Sequence, residues 1–239
     1  MLEDKLRELF LGDRHASVVA WLAFVLVGAA LAAVFLYVPS DDFQGPTQKI
    51  LYFHAPAAWN AMLCMVALLV YGVLFLWLRE PIWDTLAVGA GEVGFLFCTL
   101  NVATGMLWGK PIWGTYWTWD SRLTSALVLW FIYLSYLLLR SLTDHPEARA
   151  RAGAILGILG CIDLPVIHFS VLWWRTLHPQ PAAISPAGLG AGLESSAMKV
   201  TLMLGFVALT MAAIALYFGR VRHELLRQEV ESLRARVAG

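Results

Sequence analysis

The chain has 239 residues, 59% hydrophobic and only 14% charged, with a mean hydropathy of +0.68; soluble domains carry about 25% charged residues, so bulk water is excluded as the main solvent. Seventeen Lys plus Arg balance seventeen Asp plus Glu, which excludes a global electrostatic footprint for nucleic acid or an acidic substrate. Cys64, Cys98 and Cys161 lie inside apolar runs without C-x-x-C spacing, so they read as packing residues and argue against a disulfide framework or a zinc or thioredoxin-type site.

A bilayer-spanning helix needs about 20 apolar residues, because the hydrocarbon core is roughly 30 Å thick. In chain order, residues 1–16 form an amphipathic tail with Leu2, Leu6, Leu9 and Phe10 on one stripe. Six spans follow: Ser17 to Val38, Ala57 to Leu78, Thr85 to Leu107, Leu123 to Leu142, Ala152 to Trp173 and Met198 to Phe218. The first is read as a retained helix, since its apolar run exceeds a signal-peptide core and follows a tail of mixed charge. Residues 219–239 form a second amphipathic tail, with Leu226, Val230, Leu233 and Val237 in line; both tails read as lying on the inner leaflet or touching a partner. The expected fold is therefore an all-α integral membrane protein, a single transmembrane domain over residues 1–239, in contact with lipid and not with nucleic acid.

Lys and Arg positions set the orientation. Twelve fall on the face of the termini, including Arg79, Arg140, Arg149 and Arg151, and five on the other: Lys49, Lys110, Arg122, Arg175 and Lys199. Both termini are thus expected in the cytoplasm, with loops 39–56, 108–122 and 174–197 outside. The last of these is rich in Pro and Gly and is expected to be irregular.

The outer segment WGKPIWGTYWTWDSR holds Trp108, Trp113, Trp117 and Trp119 with Tyr116, Lys110, Asp120 and Arg122. An aromatic belt at the headgroups accounts for Trp59, Trp173 and Trp174, and in part for Trp108. It explains less well the indoles in a loop containing Gly109, Pro111 and Gly114, which are expected to break helix. The other reading is a platform for a large flat π ligand, with Arg122, Lys110, Lys49 or Arg175 pairing with its carboxylates and Asp120 orienting Arg122 or an indole N–H.

Of six histidines, only His54 and His178 fall in outer loops, on the face of the tryptophans. Two neutral imidazoles suit six-coordinate haem iron, and haem unites the aromatic cluster, the basic groups and the histidine pair. Unperturbed imidazoles titrate near pH 6.5, so haem occupancy is expected to weaken below about pH 6. A lone loop histidine is otherwise an ordinary surface residue. His168 reads as a hydrogen-bonded packing residue, with Ser170 as a neighbour of the site. Glu92 and Asp163 are ionisable at membrane depth and expected protonated or hydrogen-bonded, with no basic partner apparent in the spans.

The segments LYFHAPAAW, WGKPIWGTYWTWDSRLTS and LPVIHFSVLWWRTLHP resemble the signature of haem-handling membrane proteins of cytochrome c maturation, most closely the haem exporter protein C family, CcmC. The resemblance extends over most of the chain but leaves out the tail beyond Tyr217. It implies a six-helix protein of the bacterial inner membrane whose periplasmic face binds haem b as cargo. It further implies His54 and His178 as axial iron ligands, and Trp108, Trp113, Trp117, Trp119, Asp120 and Arg122 as the haem-binding residues. In that reading Trp113, Trp117 and Trp119 fix the ring plane, Arg122 pairs with a propionate, and haem passes to the chaperone CcmE, whose histidine becomes linked to a vinyl group. The implied partners are CcmE, the two-subunit ABC transporter CcmA and CcmB, and the small membrane protein CcmD. The chain has no G-x-x-x-x-G-K-[ST] of its own, so ATP hydrolysis falls to a partner. Any catalytic contribution is positioning. Three other readings stand beside it: a haem lyase, which is typically larger; a b-type electron-transfer cytochrome, for which only His168 is within a span; and a haem permease, for which Glu92 and Asp163 are the polar mid-membrane candidates.

Overall fold

A computed structural model describes residues 2–178, 193 and 195–238; most of the expected irregular loop, residues 179–192 and 194, lies outside the described residues. Among the described residues eight α-helices follow in order: α1 Leu2–Leu11, α2 Asp13–Ala32, α3 Leu51–Leu78, α4 Pro81–Trp113, α5 Ser121–Leu142, α6 Pro146–Gly160, α7 Asp163–Trp173 and α8 Ser196–Ala238. Six helical stretches among the described residues are long and apolar enough to cross a membrane, α6 and α7 together making one of them. Among the described residues there is no β-strand.

Local chemistry sets the ends. Pro81 and Pro146 occupy the first turns of α4 and α6, where a missing N–H costs nothing. Asp120 caps α5 through its side chain, and α4 stops at Gly114, whose φ of 77° is open to glycine without strain. The helices then pack through close approaches. Gly91 and Gly94 of α4 receive the rings of Tyr136 and Tyr133 of α5, where a Cβ would collide, and the Tyr133 hydroxyl donates to the Ala61 carbonyl of α3 at 2.6 Å. Pro56 removes one bond from the first turns of α3, and Gly205 of α8 approaches the Tyr52 carbonyl so closely that no side chain fits between them.

Several expectations are corrected. Helix α3 begins at Leu51, so His54 lies on a helix rather than in a loop. Helix α4 runs through Gly109 and Pro111 to Trp113, because one missing N–H in a last turn is tolerated and the turn is closed by Gly114 N–H donating to Lys110 O at 3.0 Å. Trp108 and Trp113 are therefore helical. The fifth span breaks at Cys161 and Ile162. The N-terminal stripe packs on its own chain: Phe10 is buried against Tyr217 and Phe218 of α8. The C-terminal tail is not a separate surface helix but continues α8, whose 43 residues span about 65 Å, twice the hydrocarbon thickness. No proline interrupts it.

Glu92 does have a basic partner. Arg220 of α8 donates to it in a two-pronged pair at 2.5 and 2.8 Å, and to Glu224 at 3.1 Å. Arg140 and Asp84 form a second such pair at 2.6 and 2.9 Å. The three cysteines are free and buried or half-buried, as packing residues should be.

Candidate functional site

At the other end of the bundle, the start of α3, the end of α4, the start of α5 and the segment after α7 converge. His54, His178, Trp113, Trp117 and Arg122 line one cavity there, with Asn101, Gly105 and Ile167 among its walls. The two histidines, 124 positions apart in sequence, thus share a site. Its volume is about 90 Å³, well below the roughly 300–1,000 Å³ of pockets that engulf small ligands; a porphyrin enters only if the walls part. Beside it, Trp119, Asp120, Arg175 and Thr176 line an open cleft of about 350 Å³.

His54 projects from α3 onto α4. Its Nδ1 lies 3.1 Å from the Asn101 carbonyl and 3.1 Å from Thr104 Oγ1. The Trp108 ring meets it edge-on at 5.7 Å between centroids. Trp108 is itself fixed by donating from Nε1 to Gln44 Oε1 at 3.0 Å, while the Asp41 side chain accepts from the backbone N–H groups of Phe43 and Gln44 and holds that turn. Trp108 therefore braces a histidine and joins the loop before α3 to α4.

His178 is held from the other side. Trp113 stands edge-on to it at 5.0 Å, and its Nδ1 is 3.6 Å from Asp120 Oδ1, beyond a hydrogen bond but within reach of charge. Asp120 is expected from the sequence to orient Arg122 or an indole N–H; instead its carboxylate ties backbone segments together. Its Oδ1 accepts from the Arg122 and Leu123 N–H groups, and its Oδ2 accepts from Leu177 N–H at 2.8 Å. One carboxylate thus caps α5 and fixes the chain beside His178. Burial, with the nearby Arg122 charge, pushes the His178 imidazole down to about 4, against the opposing pull of Asp120. Burial raises Asp120, but the Thr176 hydroxyl and the Leu177 and Arg122 amides prevail, and its carboxyl stays below the usual range.

The indoles divide by exposure. Trp117 and Trp119 meet edge-to-face at 5.8 Å; Trp119 is 78% exposed, whereas the Trp117 Nε1 is buried without a hydrogen-bond partner. Buried polar atoms without partners are uncommon, yet Trp117 Nε1, Thr118 Oγ1, Ser121 Oγ and His178 Nδ1 all cluster here. Lys110 is not free for a ligand: its Nζ donates to the Gly114 carbonyl at 2.9 Å and lies over the Tyr116 ring. Arg122 lines the cavity, and among the described residues no carboxylate forms an ion pair with it. Ser170 is fully buried and donates to Ile167 O, and His168 packs on the Phe169 ring; neither lines the cavity.

Sequence reasoning missed Asn101, Thr104 and Gly105. They read as ordinary small and polar residues of a span. The available signal was N-x-x-T-G, three positions on one helical face inside an apolar run.

The family described as heme exporter protein C, CcmC, matches residues 5–236. A heme exporter protein C of Bradyrhizobium diazoefficiens is 41% identical over 222 residues, covering 91% of this chain and 82% of its own. That of Haemophilus influenzae is 34% identical over 216 residues, covering 89% and 85%. That of Escherichia coli K12 is 36% identical over 163 residues, covering 67% and 66%. With a match over nearly the whole chain and relatives of this identity, the chain belongs to the heme exporter protein C family.

Proposed function

We propose that this protein handles haem for cytochrome c maturation, binding it as cargo at the periplasmic end of a six-span bundle in the bacterial inner membrane. The observation that carries the reading is the convergence of two histidines, an arginine without an ion-pair partner, Trp113 and Trp117 on one small cavity, in a chain of this family. His54 and His178 are the axial ligands of the iron. His54 turns its Nδ1 to a protein carbonyl at 3.1 Å, the disposition expected of a metal-ligating imidazole, and His178 Nδ1 lies 3.6 Å from the Asp120 carboxylate. The excess of Lys and Arg at the opposite end supports the periplasmic assignment.

The chain's own groups divide the work. Trp113 and Trp117 flank the ring plane, and Trp119 extends the apolar face outward. Each indole offers roughly 150–250 Å², about 4–6 kcal/mol gross at 25 cal/mol per Å² before ordering costs. That term is strong and unselective, so discrimination comes from directed groups. Arg122 pairs with a propionate by charge-assisted hydrogen bonds, and Arg175 in the open cleft is placed for a second. Asp120 holds the α5 start and the His178 segment in register, so it supports the site without touching iron. Because the cavity is small, loading requires the segment bearing His178 to separate from α4. The same separation frees the iron for ligand exchange and exposes a ring edge to the chaperone CcmE, with CcmA, CcmB and CcmD as membrane partners.

The permease reading draws less support. Glu92, one of its two polar candidates, is held in the ion pair with Arg220, which leaves Asp163.

Purified full-length protein from wild type and from His54→Ala, His178→Ala and His168→Ala tests the reading by visible absorption. The two site variants are expected to change the haem spectrum, with His168→Ala matching wild type. The reverse pattern would move the ligands elsewhere.

A further inference from the structure

We infer that Thr104 and Gly105 of α4 are positioning residues for His54, setting which ring nitrogen carries the proton and where the ring lies. The inference rests on the reading of His54 as an iron ligand and deepens it.

The tautomer follows from counting donors and acceptors. The Thr104 hydroxyl has one proton, and its Oγ1 is 2.6 Å from the Leu100 carbonyl but 3.2 Å from that of Asn101. The proton goes to Leu100, so Thr104 presents a lone pair to His54. The Asn101 carbonyl, at the same 3.1 Å from His54 Nδ1, is an acceptor as well. Two acceptors facing one ring nitrogen require that nitrogen to donate. Nδ1 therefore carries the hydrogen and Nε2 keeps the lone pair that a metal needs. The Asn101 side-chain amide is 3.4 Å from Nδ1, from Nε2 and from the His54 carbonyl alike, so it favours neither ring nitrogen and the two acceptors at 3.1 Å decide. That amide makes a long contact that an iron can displace in favour of the carbonyl.

Gly105 supplies the place for the ring. A Cβ there would stand 3.0 Å from His54 Cε1 and 3.6 Å from Nδ1, so the imidazole lies in the space a side chain would take. Asn101, Thr104 and Gly105 share one face of α4 at positions i, i+3 and i+4. Thr104 makes no other hydrogen bond across helices among the described residues. Thr99, one turn earlier, differs in that it accepts from Trp130 Nε1 of α5 at 2.9 Å and ties two helices together. A hydrogen bond accepted from Nδ1–H raises the basicity of Nε2. A stronger donor favours ferric over ferrous iron, so Thr104 lowers the midpoint potential of the bound haem.

The test titrates ferric haem b into detergent-purified full-length protein and measures affinity, spectrum and midpoint potential. Thr104→Val keeps the shape and loses the acceptor; it is expected to weaken binding about tenfold, the lower end for groups supporting a metal ligand, and to raise the potential. Thr104→Ser should restore both, and Thr99→Val, which removes a helix–helix bond away from His54, should change neither. Gly105→Ala should lose the six-coordinate spectrum more fully than Thr104→Val. Wild-type affinity and potential in Thr104→Val, or equal shifts in Thr99→Val, would overturn the inference. Should His54→Ala also keep the wild-type spectrum, the ligand reading itself fails; should His54→Ala lose it while Thr104→Val is silent, only the positioning role does.

Discussion

The two ends of the bundle treat their charges differently. At the end formed by the start of α4 and the protruding part of α8, cations and anions satisfy each other: Arg140 with Asp84, Arg220 with Glu92 and Glu224, Arg227 with Glu224. At the end near Gly114, Arg122 borders a cavity without an ion-pair partner, and four buried polar atoms nearby have no hydrogen-bond partner. Taking a charge out of water costs several kcal/mol unless a partner offsets it. The first end offsets that cost within the protein for its ion-paired residues, leaving Tyr136 Oη and Arg149 Nε without hydrogen-bond partners. The second leaves its groups for something else to satisfy, which is what a binding site does.

Variants at each end sharpen the contrast. The largest stability effect belongs to the paired end. Asp84→Ala strands Arg140, whose side chain is 11% exposed, and should cost about 3–5 kcal/mol; the thermal midpoint should fall while haem affinity per folded molecule holds. Equal losses in both would mean that the ends are coupled. At the open end, Trp117→Ala with Trp119→Ala should weaken haem retention about tenfold or more, since each indole is worth several kcal/mol gross, with little change in abundance because Trp119 is mostly exposed. A matching fall in abundance would return these indoles to membrane anchoring.

The smallest effect is on pH. Neutral imidazole is the ligating form, and a pKa depressed to about 4 at His178 keeps it neutral well below the ordinary 6.5. Protonation competes with iron only near that lower value, so a spectral titration should show steady occupancy from pH 7 to about pH 5 and loss on approaching pH 4. The composition-level expectation of weakening below about pH 6 assumed an unperturbed ring, and burial beside Arg122 removes that assumption. A midpoint near pH 6.5 would place His178 in water rather than in the site.

The six spans were legible because lipid imposes length and hydropathy directly, and the outer tryptophans and histidines stood out because such residues are costly or idle unless used. What stayed hidden depends on distance along the chain or on context. Arg220 and Glu92 are 128 positions apart, and only the packing of α8 on α4 joins them. Gly109 and Pro111 are helix breakers in isolation, yet near a helix end they cost little, so α4 carried Trp108 and Trp113 farther than expected. Asp120 looked like a partner for side chains, but its position before Ser121 made it a cap. Thr104 and Gly105 are unremarked in a span until a histidine from another helix lies against them.

The most direct test of shared ligation is the electron paramagnetic resonance spectrum of ferric haem in His178→Gly and His54→Gly, recorded without and with added imidazole. Two imidazoles on one iron predict a low-spin signal in wild type, high-spin iron in either variant, and low-spin iron restored in each by free imidazole. A low-spin signal that survives both substitutions without imidazole would contradict the account.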